Sequence, residues 1–304
     1  MRSSLRRLLI ASAAVAAVTA SLTPGATAAE RDVIASADKP VHVVAVTGPD
    51  DRLWVRYTNQ PSWFNLGGAL VDAPAVARGY RADYFVGVGA DGNVWIRSLT
   101  RGWQPLAPAN TRCAGASAVV SGNQLGVACR GGDGALWAGF ATLPNNDTLP
   151  YVKGFASRGG SFRHGVSISD IADSTAARFI YSGVGLDNRP YSRTDNGSWT
   201  SGTSATCSAS FATSEFYEVG ACRDTRSEGM LSFPIGQGGT VRPVNGRTIG
   251  RPGVAVLVDG EARIYALGLD GSIWVARHPA GGVPGGFVRF GGAGKHGISA
   301  ASFS

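Results

Sequence analysis

Past about residue 30 the chain is a succession of short apolar runs cut by turns of Gly, Asp and Asn. One stretch shows the unit. A small-residue run, Pro74-Ala75-Val76-Ala77, is followed by a bulkier one, Tyr84-Phe85-Val86-Gly87-Val88. An Asp91-Gly92 turn then leads into Val94-Trp95-Ile96-Arg97-Ser98, and a last run covers Gly102-Trp103-Gln104-Pro105-Leu106. Runs of this length between turn residues predict four antiparallel strands. The Asp-Gly turns fit two-residue hairpins with positive φ. No 3.6-residue apolar stripe runs far beyond the first thirty residues, so almost no helix is expected.

The unit recurs. A segment of the form small–x–Asp–Gly–x–apolar–aromatic places its aromatic slot at Trp54, Trp95, Trp137, Tyr191, Ser232 and Trp274. The steps are 41, 42, 54, 41 and 42 residues, and the long one marks an insertion near Asn145–Arg158. The small-residue run returns at Ala116–Val120, Val166–Ile171, Ser208–Thr213, Val254–Val258 and Ile298–Phe303. A period in the forties with four strands per period predicts a radial array: an all-β, six-bladed β-propeller of four-stranded antiparallel blades, six being favoured over seven by the number of slots. The last run, at the C-terminus, is a candidate to complete the first blade and close the ring. Asp32–Ala37 competes for the same place.

Residues 1–28 read as a cleaved signal peptide, with Arg2, Arg6 and Arg7, the apolar stretch Leu8–Ala20 and an Ala26-Thr27-Ala28 cleavage site. The stretch is too short for a membrane span. Arg6-Arg7 leaves the general and the twin-arginine export routes both open. Residues 29–304 then form one exported domain of 276 residues, about 46 per repeat. The chain's +7 charge falls to +4, 25 basic against 21 acidic residues, with Lys39, Lys153 and Lys295 the remaining lysines. That scattered charge excludes a dedicated nucleic-acid surface, and no later segment is apolar enough for membrane insertion.

The four cysteines flank two predicted hairpins, turning at Ser121-Gly122-Asn123 and near Ser214. Folding each about its midpoint sets Cys113 opposite Cys129 and Cys207 opposite Cys222, which predicts two disulfides within blades. A four-Cys metal site is the rival reading; it needs thiolates brought together from different blades. No metal or other cofactor is expected.

The pieces Asp50-Asp51-Arg52-Leu53-Trp54, Ser62-Trp63-Phe64-Asn65-Leu66-Gly67-Gly68 and Ala73-Pro74-Ala75-Val76 carry a resemblance to the tectonin-type propeller lectins, which include the fucose-binding propellers of bacteria and fungi. Repeats one, two and six match well, three and four in part, and five least, because Ser232 fills its aromatic slot. The resemblance implies glycan binding in clefts between adjacent blades.

The candidate binding residues form three trios. Folding repeat two about residue 99 sets Trp95 opposite Trp103, with Arg97 on the same face by the period of two. Repeat four, folded about Asp195, gives Tyr191, Arg193 and Trp199, and repeat one gives Trp54, Arg56 and Trp63. Two aromatics and an arginine on one face suit a sugar, whose C–H face stacks on a ring while the guanidinium donates to hydroxyls. The plainer reading makes the slot aromatics wedges between blades and the trios Arg–aromatic stacks at a blade edge. His164 and His296 precede equivalent strands and suggest a blade-edge role. Most carboxylates (Asp50, Asp91, Asp133, Asp187, Asp270) occupy turn slots, and Glu215, Glu218 and Glu261 lie in no catalytic signature. The expectation is a secreted, non-catalytic propeller binding glycans or a polysaccharide through several pockets. A protein-interaction platform within a secreted assembly and a polysaccharide hydrolase or lyase are the alternatives.

Overall fold

The computed structural model describes residues 42–302 other than 110, 171–178, 202, 209–211, 214–218, 235–239, 258–259 and 280–281. The leader 1–28, the candidate strand Asp32–Ala37, Lys39, Glu215 and Glu218 lie outside the described residues. Among the described residues there is no helix, and 22 strands form five antiparallel sheets.

The first sheet holds β1 (Val43–Thr47), β2 (Leu53–Tyr57) and β3 (Phe64–Gly67). The second holds β4 (Ala75–Arg78), β5 (Asp83–Val88), β6 (Val94–Ser98) and β7 (Gln104–Pro105). The third holds β8 (Cys113–Ser121), β9 (Gln124–Gly131), β10 (Leu136–Thr142) and β11 (Ala156–Gly159). The fourth is β12 (Ser167–Asp170), β13 (Phe179–Val184) and β14 (Pro190–Thr194), with an outer bridge from Ser192 to Thr200. The fifth has seven strands: β15 (Ala212–Thr213), β16 (Val219–Arg223), β17 (Gly229–Pro234), β18 (Arg242–Val256), β19 (Ala262–Gly268), β20 (Ser272–His278) and β21 (Val288–Ala293). The C-terminal strand β22 (Ile298–Ala301) pairs antiparallel with β1 and completes the first sheet, so the end of the chain closes the ring.

The arrangement is a β-propeller. The strands β22, β4, β8, β12, β15 and β18 touch one another in that cyclic order around the axis. Six separate sheets were expected and five are present. The 15 residues of β18 pair with β17 as far as Arg247 and with β19 from Thr248 on, and a register shift between Ile249 and Gly253 interrupts the second ladder. Two expected repeats are therefore hydrogen-bonded into one sheet.

Among the described residues there is no single central core. Apolar side chains are buried between neighbouring sheets, as where Val55 and Tyr57 meet Val76 and Phe85, and where Val119 and Leu136 meet Ile168 and Phe179. This is why the second strand of each unit is apolar on both faces: β5 and β13 are buried along their whole length. The Tyr57 hydroxyl donates to Asp83 at 2.7 Å, and Asp83 is paired with Arg78 at 2.9 Å, which satisfies the polar groups of that interface.

The turns are one residue longer than expected. Gly48 N donates to Arg52 O, and Asp51 N donates to Gly48 O, which closes a three-residue loop with Asp51 at φ 61°. Gly89–Asn93 and Gly131–Ala135 repeat it, with Gly92 and Gly134 in the positive-φ place.

Both disulfides form between the expected partners, Cys113–Cys129 and Cys207–Cys222. The cysteines are diagonal rather than directly opposed. Cys113 faces Gly131 and Cys207 faces Asp224, so each bonds the residue two before its ladder partner. In the first hairpin an irregularity between Ala114 and Ser117 shifts the register, and the Cα atoms remain 5.5 Å apart, within bridging range.

Candidate functional site

Each predicted trio splits into two parts. The slot aromatics belong to their own turns. Trp54, Trp95, Trp137, Tyr191 and Trp274 are all half-buried, and each lies against the glycine six residues before it: Gly48, Gly89, Gly131, Gly185 and Gly268. A Cβ at any of these glycines would come within 2.6 to 2.9 Å of the ring. The Asp four residues before the ring ties the turn together. Its Oδ1 accepts the amide two residues on, at Arg52, Asn93, Ala135, Arg189 and Ser272. In four of the five it also accepts from the ring: Trp54 at 3.0 Å, Trp95 at 3.3 Å, Trp137 at 3.1 Å and the Tyr191 hydroxyl at 2.9 Å. Small-x-Asp-x-x-x-aromatic is thus a clamp on one hairpin, and Trp54 and Tyr191 also pack against apolar clusters shared with the neighbouring sheet, as in the plainer reading.

Donation from Trp137 and from the Ala135 amide holds the Asp133 carboxyl below its usual value, and Asn93 does the same for Asp91.

The arginine and the second aromatic form the other part. The ladder sets Trp95 opposite Pro105 and Trp54 opposite Asn65, while Ser192 bridges Thr200. The return strands are thus offset from the predicted folds, so Arg97 meets Trp103 and Arg193 meets Trp199, at 5.9 and 5.7 Å from guanidinium carbon to ring centre. In repeat two the turn is closed by Ser98 N to Arg101 O, and Ser98 Oγ accepts the amides of Thr100 and Arg101.

These pairs reach across to the preceding sheet. Arg97 Nη1 donates to the carbonyl of Leu66, Arg56 Nη1 to that of Phe290 at 2.7 Å, and Arg193 Nη1 to that of Arg158 at 2.9 Å. Each Nε donates to its own hairpin, to Ser98 O, Gln60 O and Thr194 O. The second aromatic rests on a glycine two residues past the accepting carbonyl: Trp103 on Gly68, Trp63 on Gly292 and Trp199 near Gly160. Those glycines have φ of 90°, 88° and 81°, and each follows another positive-φ glycine (Gly67, Gly291, Gly159). The Gly-Gly doublets, unassigned in the sequence reading, are the sockets of an inter-sheet latch. The indole N–H groups of Trp63 and Trp103 are buried in these sockets without an acceptor. Arg56 stacks at 4.4 Å on Phe290 of the preceding sheet, rather than on Trp63.

Two seams vary the device. Within the seven-stranded sheet Phe287 sits on Gly246 (φ 134°), with Ala276 where units one, two and four have arginine. Between the second and third sheets Gly139 takes the arginine place. There the insertion fills the gap: Val152 N donates to Leu106 O at 2.8 Å, the carbonyl equivalent to Leu66, and a Cβ on Gly139 would meet Val152 at 2.4 Å.

The remaining candidates are engaged elsewhere. Glu261 pairs with Arg263 at 2.7 Å and Arg277 at 2.5 Å. His296 Nε2 lies 3.5 Å from Asp51, which Lys295 also contacts at 2.7 Å, tying the loop before β22 to the first turn. His164 is half-buried, and burial followed by Arg163 and Arg130 lowers its pKa. No group of three metal-ligating residues occurs among the described residues.

No family model and no curated protein matches the chain. The crystal structure of TolB from Acinetobacter baumannii is similar to it, with a TM-score of 0.58 and 12% identity, over 86% of this chain and 66% of that one. The chain thus spans just under two thirds of TolB. At that identity the likeness shows the β-propeller fold alone.

Proposed function

We propose that this chain is an exported, non-catalytic β-propeller that binds glycans at several places around its rim. One observation carries the reading. Five half-buried aromatic rings recur at matching turns, and a turn aspartate holds the polar edge of four of them. Rings fixed in this way present faces for the C–H side of a pyranose at little cost in side-chain entropy. Each contact is weak alone, and several on one rigid ring add through avidity on a polysaccharide or cell surface. In this reading Arg56, Arg97 and Arg193 with Trp63, Trp103 and Trp199 hold the frame, and sugar contact passes to the turn aromatics Trp54, Trp95 and Tyr191, joined by Trp137 and Trp274. Engagement of Asp133, Asp187 and Glu261 in turns and ion pairs supports a non-catalytic role. The two disulfides support an oxidising compartment.

We read the seven-stranded sheet as two blades sharing β18, which makes six. The change of partner from β17 to β19 between Arg247 and Thr248 and the cyclic order of the six inner strands support this. An experimental density map in which β18 runs straight through Arg247 and Thr248, with β17 and β19 paired side by side along it, would leave five.

Consumption of the arginine donors at three seams favours a second reading, a protein-interaction platform. A glycan array on the disulfide-intact chain, with a reduced control, separates the two. Binding competed by free monosaccharide and weakened in Trp95→Ala and Trp137→Ala supports the glycan reading. A blank array from folded protein, with partner capture indifferent to free sugar, supports the platform. Turnover of a polysaccharide panel overturns both.

A further inference from the structure

Arg251 lies where β18 bends, between Gly250 (φ 67°) and Pro252, and is bridged to Gly297 at the entry to β22. It is 7% exposed. Its Nη1 donates at 2.7 Å to the carbonyl of Ala116 in β8. In the cyclic order of inner strands β8 stands three places from β18 in either direction, so the side chain crosses the propeller axis to the far wall. Its Nε is buried with no hydrogen-bond partner, and among the described residues it forms no salt bridge. Asp72 is the carboxylate that acts on it, from beyond pairing distance.

A buried cation with an orphaned donor is costly, and an aliphatic side chain would close the axis without that cost. The pocket beside Arg251 makes sense of it. Its walls include Val76, Ile168 and Val254, and its polar lining includes Ser117 and Ser299. Ser117 Oγ accepts the amide of Ile168 and Ser299 Oγ that of Val76, both at 3.1 Å. Each hydroxyl has thereby used acceptor capacity and retains its proton for donation. Guanidinium and hydroxyls present donors to one small space, which matches a ligand with acceptors only.

We propose that the axial pocket is an oxyanion site, in which Arg251 binds a carboxylate or phosphate-type group with Ser117 and Ser299 donating to the same oxygens. The site is separate from the rim aromatics and does not depend on the glycan reading.

The test follows the Arg251 Nε–H resonance by NMR in the disulfide-intact chain, assigned by its disappearance in Arg251→Met, while acetate or inorganic phosphate is titrated at constant ionic strength. A saturable displacement is expected, weakened about tenfold in Ser117→Ala and Ser299→Ala by loss of one donor each. Should Arg251→Met fail to fold, these serine variants assign the site by their effect on the same titration. Saturation by acetate alone points to a carboxylate on a larger ligand, and by phosphate alone to a free phosphate-type anion; both support the site. An Nε–H resonance unmoved by either anion, or moved equally by chloride, overturns it and leaves Arg251 as a crossbar.

Discussion

Gly68 shows how tightly single residues are constrained at the seams. It has φ 90°, and an added Cβ would lie 2.6 Å from Trp103 Nε1. Gly92 has φ 75° with nothing within 4 Å of the same added atom. Gly92→Ala therefore carries the backbone cost alone, about 1 kcal/mol, whereas Gly68→Ala also displaces the ring and is expected to cost about 3 kcal/mol. Urea denaturation of the two variants compares them; equal losses would mean that the socket does not seat the indole. A pH effect follows from Asp133, whose carboxyl the Trp137 indole holds below its ordinary value of 3.8. A depressed folded-state pKa stabilises above that value and stops doing so as pH falls through the lowered one. The melting temperature of the parent chain should fall more steeply than that of Asp133→Asn on acidification below about pH 4.

Among elements, the insertion is the informative case. The 54-residue step locates it, and pairing with the second sheet explains it: its Val152 amide replaces the guanidinium that Gly139 lacks. Val152→Ala keeps that amide and should cost about 1–2 kcal/mol of packing. Val152→Pro also removes the N–H and leaves the buried Leu106 carbonyl unmet, for a total of about 3–4 kcal/mol. Denaturation midpoints that coincide for the two variants would show that the amide contributes nothing. Strands were legible as elements, because β6 lies at Val94–Ser98 as read and β5 and β22 differ from their runs only at the ends. Register was not. An added residue in a return strand leaves composition unchanged but moves every partner, and this separated Trp95 from Trp103.

At the level of the whole molecule, β22 carries closure. Its pairing with β1 joins the two ends of the described chain, and Ile298 and Ala301 are fully buried in different clusters. A chain ending at His296 leaves β1 as an open edge and exposes both interfaces beside it. Loss of a cooperative thermal transition is expected, with binding of a hydrophobic dye at temperatures where the parent chain binds none. A sharp transition near the parent temperature would show that closure is dispensable.

Repeat, strand content and disulfide partners were readable along the chain, because each follows from local periodicity or from turn chemistry recurring at a fixed spacing; the closing strand was one of two candidates until its pairing with β1 was seen. The clamp of aspartate and aromatic was visible as a motif for the same reason, since its members lie within seven residues. The latches were not. Arg97 and Leu66 are 31 residues apart, and Arg56 and Phe290 are 234 apart, so no spacing rule pairs them. What Arg56, Arg97 and Arg193 do depends on which carbonyl the neighbouring sheet presents, and Arg251 on what lies across the axis. Both are set by how the sheets pack around the ring, where residues distant in sequence come within hydrogen-bonding reach.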